Sequence, residues 1–186
     1  GLNPELDLMR IRPVKEFENA GIKEHLEHEV TEVNPPEHRI TVRNLQTGKS
    51  RSERYDKLIV ASGSSPFIPP IPGTDLQGVF TVKTLADAEN IKKNLLRREV
   101  RNVAIIGGGY IGLEMAEACV LQKKNVRLFE AAPRVLNGFD PEFAAAVEQE
   151  LATHGVAVHT GATVLELAGK SRVRQVATKE ERYDTD

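Results

Sequence analysis

The sequence predicts an α/β fold in which a short antiparallel β segment precedes a parallel β-α-β unit, and three observations predict it. Residues 103–106, Val-Ala-Ile-Ile, form an apolar run that reads as a strand buried on both faces, the pattern of a parallel sheet. Gly107, Gly108, Gly109 and Gly112 follow at once, around Tyr110 and Ile111, and open a helix. A second strand, 125–129, alternates Val126 and Leu128 with polar positions and ends at Glu130, about twenty residues past the turn.

Read as G-x-G-x-x-G, the glycines are Gly107, Gly109 and Gly112. Gly107 permits the tight turn, Gly109 lets the backbone approach a pyrophosphate, and Gly112 lets the helix pack close to the strand. The helix N-terminus offers unpaired N–H groups and a partial positive charge to phosphates. Glu130 stands where a carboxylate accepts hydrogen bonds from the ribose hydroxyls of NAD. The apolar side of the helix is expected to include Ile111, Met115, Ala118 and Cys119. A lone glycine motif is a weak signal; strand, turn, helix, strand and acid in this order predict a Rossmann-like NAD-binding domain.

The remaining elements follow in chain order. Residues 1–20 mix charged and apolar positions without a period, and Pro4 and Pro13 limit helix length there. Residues 22–26, 28–33 and 39–45 are short, partly alternating runs separated by turns such as Asn34-Pro35-Pro36, and 52–55 returns as a strand after Gly48. Together they predict a small antiparallel meander. Residues 58–61 read as another short buried strand ending in small residues, which let a ligand or backbone come close. The proline-rich 67–73 is a stiff connector and the best domain boundary. Thr84 with Asp87 forms a capping box for a helix through Ala88, Ile91 and Leu95, and the charged Arg97, Arg98 and Glu99 form its solvated end. Asp140-Pro141 starts another helix, expected to bury Phe143, Ala144, Val147 and Leu151 and to stop at Gly155. Residues 156–159 predict a third strand, 164–167 and 173–177 a hairpin, and the last residues a polar tail.

Composition excludes several classes. The chain has 186 residues, 40% hydrophobic and 28% charged, with a formal charge of -2, which allows one medium domain or parts of two. No basic stripe suggests nucleic acid, and no apolar run approaches the ~20 residues of a membrane span. The first residues do not read as a signal peptide, so a cytoplasmic location is expected. Cys119 is the single cysteine, which forbids an internal disulfide or a C-x-x-C pair and reads as a small buried side chain. His25 and His28 lie three apart in chain read as extended, so they are expected on opposite sides; His38, His154 and His159 are scattered, and no metal site is expected.

The stretches YDKLIVASGSSPFIPPIPG, VAIIGGGYIGLEMAEA and FEAAPRVLNGFDPEF, in this order, resemble the pyridine nucleotide-disulfide oxidoreductases, most of all their coenzyme A-disulfide reductase and NADH oxidase/peroxidase branch. NLQTGKSRSERYDKLIVASGSSP and VFTVKTLADAENIKKNL support that branch, and the likeness covers nearly the whole chain. In such proteins an NAD domain is inserted into a flavin domain that is split in sequence. The resemblance therefore implies that residues 1–78 belong to the later part of the FAD-binding domain and 79–186 to the NAD domain. It implies flavin contacts at Ala61, Ser62 and Gly63, where serine replaces the family's threonine and keeps the hydroxyl, and at the backbone of Val30. Tyr110 matches the aromatic gate between nicotinamide and flavin, and Glu114 the acid near the nicotinamide carboxamide.

Departures from the family pattern carry their own implication. The opening flavin glycine motif, the redox-active cysteine, the later Gly-Asp flavin contact and the C-terminal dimerisation domain are not found in this sequence, and the tail ATKEERYDTD is expected to stop short of the NAD domain's last strand. An internal fragment of a larger, homodimeric flavoenzyme is expected, inactive alone and without a catalytic residue of its own. In the parent, hydride passes from NADH to FAD and on to a disulfide, peroxide or oxygen, and Glu130 favours NADH over NADPH. Two alternatives stand beside this reading: a flavin-free NAD dehydrogenase, for which no Tyr-x-x-x-Lys pair is present, and a non-catalytic NAD-sensing module.

Overall fold

The computed structural model describes residues 14–186, so the reading of the first thirteen, with Pro4 and Pro13, lies outside the described residues. The chain divides into two compact units, one up to Gly63 and one from Ser64 to Asp186.

The first unit holds the helix α1 (Val14–Asn19) and the strands β1 (His28–Asn34), β2 (Arg39–Asn44) and β3 (Ser50–Arg54). The strands form an antiparallel meander in the order β1-β2-β3, as the alternating runs predict, with a bulge between Val30 and Glu32. Two expectations fail here. Residues 22–26 form no strand, and neither do 58–61. The latter run is apolar, but no strand among the described residues pairs with it, and Ile59 and Val60 are 88% and 74% exposed. A buried parallel strand needs neighbours on both sides, and periodicity reports the side chains without reporting the neighbours.

In the second unit, α2 (Leu85–Leu95) leads into β4 (Asn102–Ile106), α3 (Tyr110–Leu121), β5 (Asn125–Glu130), α4 (Pro141–Thr153) and β6 (Ala157–Thr160). The three strands make a parallel sheet in the order β4-β5-β6. The strands β7 (Val164–Gly169), β8 (Val173–Thr178) and β9 (Arg182–Asp184) form an antiparallel sheet. The end of the proline-rich connector and the residues after it pack in this unit: Ile71 and Leu76 lie against its core, and Gln77 bridges to Arg172.

Alternation along β4 and β5 separates the core into two layers. Val103, Ile105, Val126 and Leu128 pack with Leu95, Ala116 and Cys119, which belong to α2 and α3. Ala104 and Phe129 pack on the opposite side with Val164 and Leu167 of β7 and Val173 and Val176 of β8. Leu128 and Phe129 are both fully buried, which is why β5 reads as strongly apolar at its end.

Helix limits follow from the expected chemistry. The Thr84 hydroxyl accepts from the Asp87 N–H at 3.2 Å, and the Asp87 carboxylate accepts from the Thr84 N–H at 2.8 Å, completing the capping box. Pro141 occupies the first turn of α4. Phe143, expected in the core, is 53% exposed and instead stacks on Phe139 at 5.7 Å. The polar tail also departs from expectation, because it forms β9. Tyr183 meets Phe129 at 5.1 Å and His159 at 4.8 Å, with the Arg127 guanidinium 5.8 Å from its ring. No helix among the described residues is long and apolar enough to cross a membrane.

Candidate functional site

The glycine turn joins β4 to α3, and its fingerprint glycines have different surroundings. Gly107 has φ +108°, a region L side chains rarely adopt, and its N–H continues the sheet by donating to the Phe129 carbonyl at 2.8 Å. At Gly112 an added Cβ would run into the Gly107 carbonyl oxygen, so the helix sits close to the turn only with glycine there. Gly109 is the N-cap of α3, and a Cβ there would meet nothing within 4 Å. No side chain caps this helix and no acidic residue occupies its first turn, so its amides and its positive dipole end are left uncompensated.

Glu130 closes the β5 end of the site. Its Oε2 accepts from the Gly108 N–H at 2.6 Å and its Oε1 from the Ala132 N–H at 2.7 Å. The Gly108 carbonyl in turn accepts from the Leu136 N–H at 2.9 Å. Farther along the loop, the Val135 N–H donates to Glu148 Oε1 of α4 at 3.0 Å. A carboxylate has about four lone-pair sites, so two amides leave Glu130 with acceptor capacity to spare. These loop anchors were missed from sequence, since no spacing rule links a helix carboxylate to a loop amide. Arg134, the nearest cation in the sequence after Glu130, has a buried Nε without a hydrogen-bond partner among the described residues.

The turn also borders a cleft of about 660 Å³ within the second unit, running along β4 and lined by Gly107, Gly109, Tyr110, Met115, Phe80 and Lys83 among others. Tyr110 is 72% exposed, and Glu114 is also exposed. Ile111, expected on the packed side of α3, is exposed; the buried side is carried by Ala116 and Cys119 with Leu113 and Val120 beside them. Burial pushes the Cys119 thiol up to about 11, so it remains protonated at neutral pH and serves as packing.

Val30 and the 61–63 segment belong to the first unit. Val30 pairs with Val42 in the meander and is half exposed. Ala61, Ser62 and Gly63 are exposed in irregular chain, with φ +75° at Gly63. The expectation for the histidine pair is corrected: the His25 and His28 rings meet edge to face at 5.6 Å. Glu27 between them has φ +55°, which turns the chain where an extended strand would have separated the rings. Among the described residues no group of three or more His, Cys, Asp or Glu side chains could hold a metal.

A parallel sheet, a glycine turn feeding an uncapped helix and an acid at the next strand end define a Rossmann-like α/β unit. The chain belongs to the pyridine nucleotide-disulphide oxidoreductase family, matched over residues 4–186. It is 38% identical over 187 residues to an NAD(P)H sulfur oxidoreductase (CoA-dependent) of Pyrococcus abyssi, covering 100% of this chain and 41% of that protein. It is 34% identical over 183 residues to an NADH oxidase of Enterococcus faecalis, covering 97% of this chain and 40% of that one. The water-forming NADH oxidase from Lactobacillus brevis, bound to NADH, superposes with a TM-score of 0.80 at 32% identity, over 92% of this chain and 38% of that one. The chain thus spans about 40% of the length of the curated relatives it matches.

Proposed function

We propose that this chain is the NAD(H)-binding portion, with part of the flavin-binding portion, of an FAD-dependent oxidoreductase. The whole protein passes hydride from NADH to flavin and on to a disulfide, peroxide or oxygen, as a cytoplasmic homodimer. Residues 1–78 serve the flavin side and 79–186 the nicotinamide side, although 64–78 pack with the second unit. The observation that carries the reading is the N-terminus of α3, without a side-chain cap, at the Gly107–Gly109 turn, with the Glu130 carboxylate hydrogen-bonded beside it.

In this reading, the first-turn amides of α3 hold the pyrophosphate, Glu130 accepts from the adenosine ribose, and Tyr110 and Glu114 border the nicotinamide. Val30, Ala61, Ser62 and Gly63 would hold the flavin, which supplies the hydride-accepting chemistry when bound. The fit of the first unit to that group rests on backbone that a side chain does not fill: no atom lies within 4 Å of a Cβ built on Gly63. The residues of the second unit bind and orient the reduced nucleotide.

NADH is the preferred nucleotide because a charge-assisted hydrogen bond from ribose to Glu130 contributes about 1.5–3 kcal/mol, or about 10- to 150-fold in affinity. A 2′-phosphate would meet the same carboxylate as a like charge. The test is calorimetric titration of the chain with NADH, NADPH and FAD in parallel. NADH binding stronger than NADPH binding supports the reading, and Glu130→Ala should weaken NADH and narrow the gap. Absence of NADH binding, or unchanged selectivity in Glu130→Ala, would refute it.

A further inference from the structure

We propose that Gly108 is a positioning residue for Glu130, and through it a determinant of the preference for NADH over NADPH. The inference rests on the reading of this turn as the NADH site. Gly108 occupies a position that the G-x-G-x-x-G pattern leaves free, so the fingerprint does not account for a glycine there. Backbone conformation does not account for it either, because Gly108 is absent from the left-handed glycines that include Gly107.

Space accounts for it. Gly108 is buried, and an added Cβ would lie 3.0 Å from Val135 Cγ1, 3.1 Å from Glu130 Cβ and 3.2 Å from Glu130 Oε2. Each is tighter than ordinary van der Waals contact. Val135 is fully buried, with its N–H held by Glu148, which leaves it little room to move aside. Gly108 is anchored independently of Glu130 by its carbonyl, which accepts from the Leu136 N–H. The half-buried Glu130 carboxylate is the group left to yield. A methyl at position 108 therefore pushes the carboxylate by a few tenths of an ångström, weakening the Gly108–Glu130 hydrogen bond and shifting the carboxylate from its present aim.

That aim is what selectivity requires. With one amide on each oxygen, the carboxylate is fixed at two points, and its remaining lone pairs have a set direction. A ribose diol gains from acceptors fixed in advance, and a 2′-phosphate is opposed by a charge fixed in advance. A displaced carboxylate gives up part of both effects, so NADH weakens while NADPH changes little.

The experiment measures NADH and NADPH dissociation constants for the whole chain, its Gly108→Ala variant and the double variant Gly108→Ala/Glu130→Asp, with amide exchange read at Ala132. The shorter aspartate draws its carboxylate back from the added methyl and leaves only the contact with the Cβ. Expected for Gly108→Ala are NADH weakened by about tenfold, the lower end of a charged hydrogen bond, NADPH changed by less than about threefold, and faster exchange at Ala132. The double variant should regain part of the NADH preference. Gly138→Ala, where a Cβ meets nothing within 4 Å, should keep wild-type constants. Unchanged selectivity in Gly108→Ala, or equal weakening of both nucleotides without recovery in the double variant, overturns the inference alone. A wild-type chain that binds neither nucleotide overturns the NADH reading and this inference with it. Where Gly108→Ala does not fold, a double variant that folds and prefers NADH supports the inference, and one that fails equally overturns it.

Discussion

At the residue scale, the four glycines of the turn separate into stability and binding roles. Gly112→Ala forces a methyl onto the Gly107 carbonyl oxygen, so α3 must move away from β4. Overpacking of this kind costs about 1–3 kcal/mol, and a lowered melting temperature should show it. Gly109→Ala meets no atom within 4 Å and has an ordinary φ of -79°, so its stability should stay near wild type while NADH affinity falls. A melting temperature lowered equally in both variants would contradict this division. The turn at Gly107 and the close packing at Gly112 were readable from spacing, because both recur at fixed offsets. The grip of Glu130 on Gly108 was not, since it depends on where a side chain folds back after the strand ends.

At the element scale, α2 offers a cap whose two halves are measurable separately. Thr84→Ala removes the hydroxyl that accepts the Asp87 N–H, a loss of about 0.5–2 kcal/mol for a cap of this type. The Thr84 N–H, followed by the Thr84 hydroxyl, holds the Asp87 carboxyl below its ordinary value. A depressed carboxyl stabilises the folded state fully above its unfolded value, and that contribution is lost as pH falls through the folded value. Amides at the start of α2 should therefore lose protection, measured against their slower intrinsic exchange in acid, below the ordinary carboxylate range, and Asp87→Asn should remove that dependence. An acid response retained in Asp87→Asn would assign it to another group. This helix was legible because its cap is local in sequence. Strand β9 was not: it exists by pairing with β8 and by Tyr183 meeting Phe129 and His159, contacts between distant positions. The 58–61 run failed in the opposite sense, with strand-like side chains and no partner among the described residues.

At the scale of the whole molecule, burial is unequally divided between the two units. Among the described residues up to Gly63, Val42 is the one buried hydrophobic side chain, while the second unit buries Leu95, Val100, Leu128, Phe129, Val135, Val176 and others. Buried apolar area is the main source of stability, so the meander β1-β2-β3 should open more readily than the sheet β4-β5-β6. Native-state amide exchange should be more than about tenfold faster in β1–β3 than in β4–β6. Leu128→Ala then tests whether the units are energetically separate. Leu128 is fully buried in the helix-facing core, and its truncation should cost about 2–5 kcal/mol. That loss should accelerate exchange throughout β4–β6 and leave β1–β3 unchanged. If the meander accelerates equally, the chain unfolds as one cooperative body, and the sparse core of the first unit is being stabilised through the second.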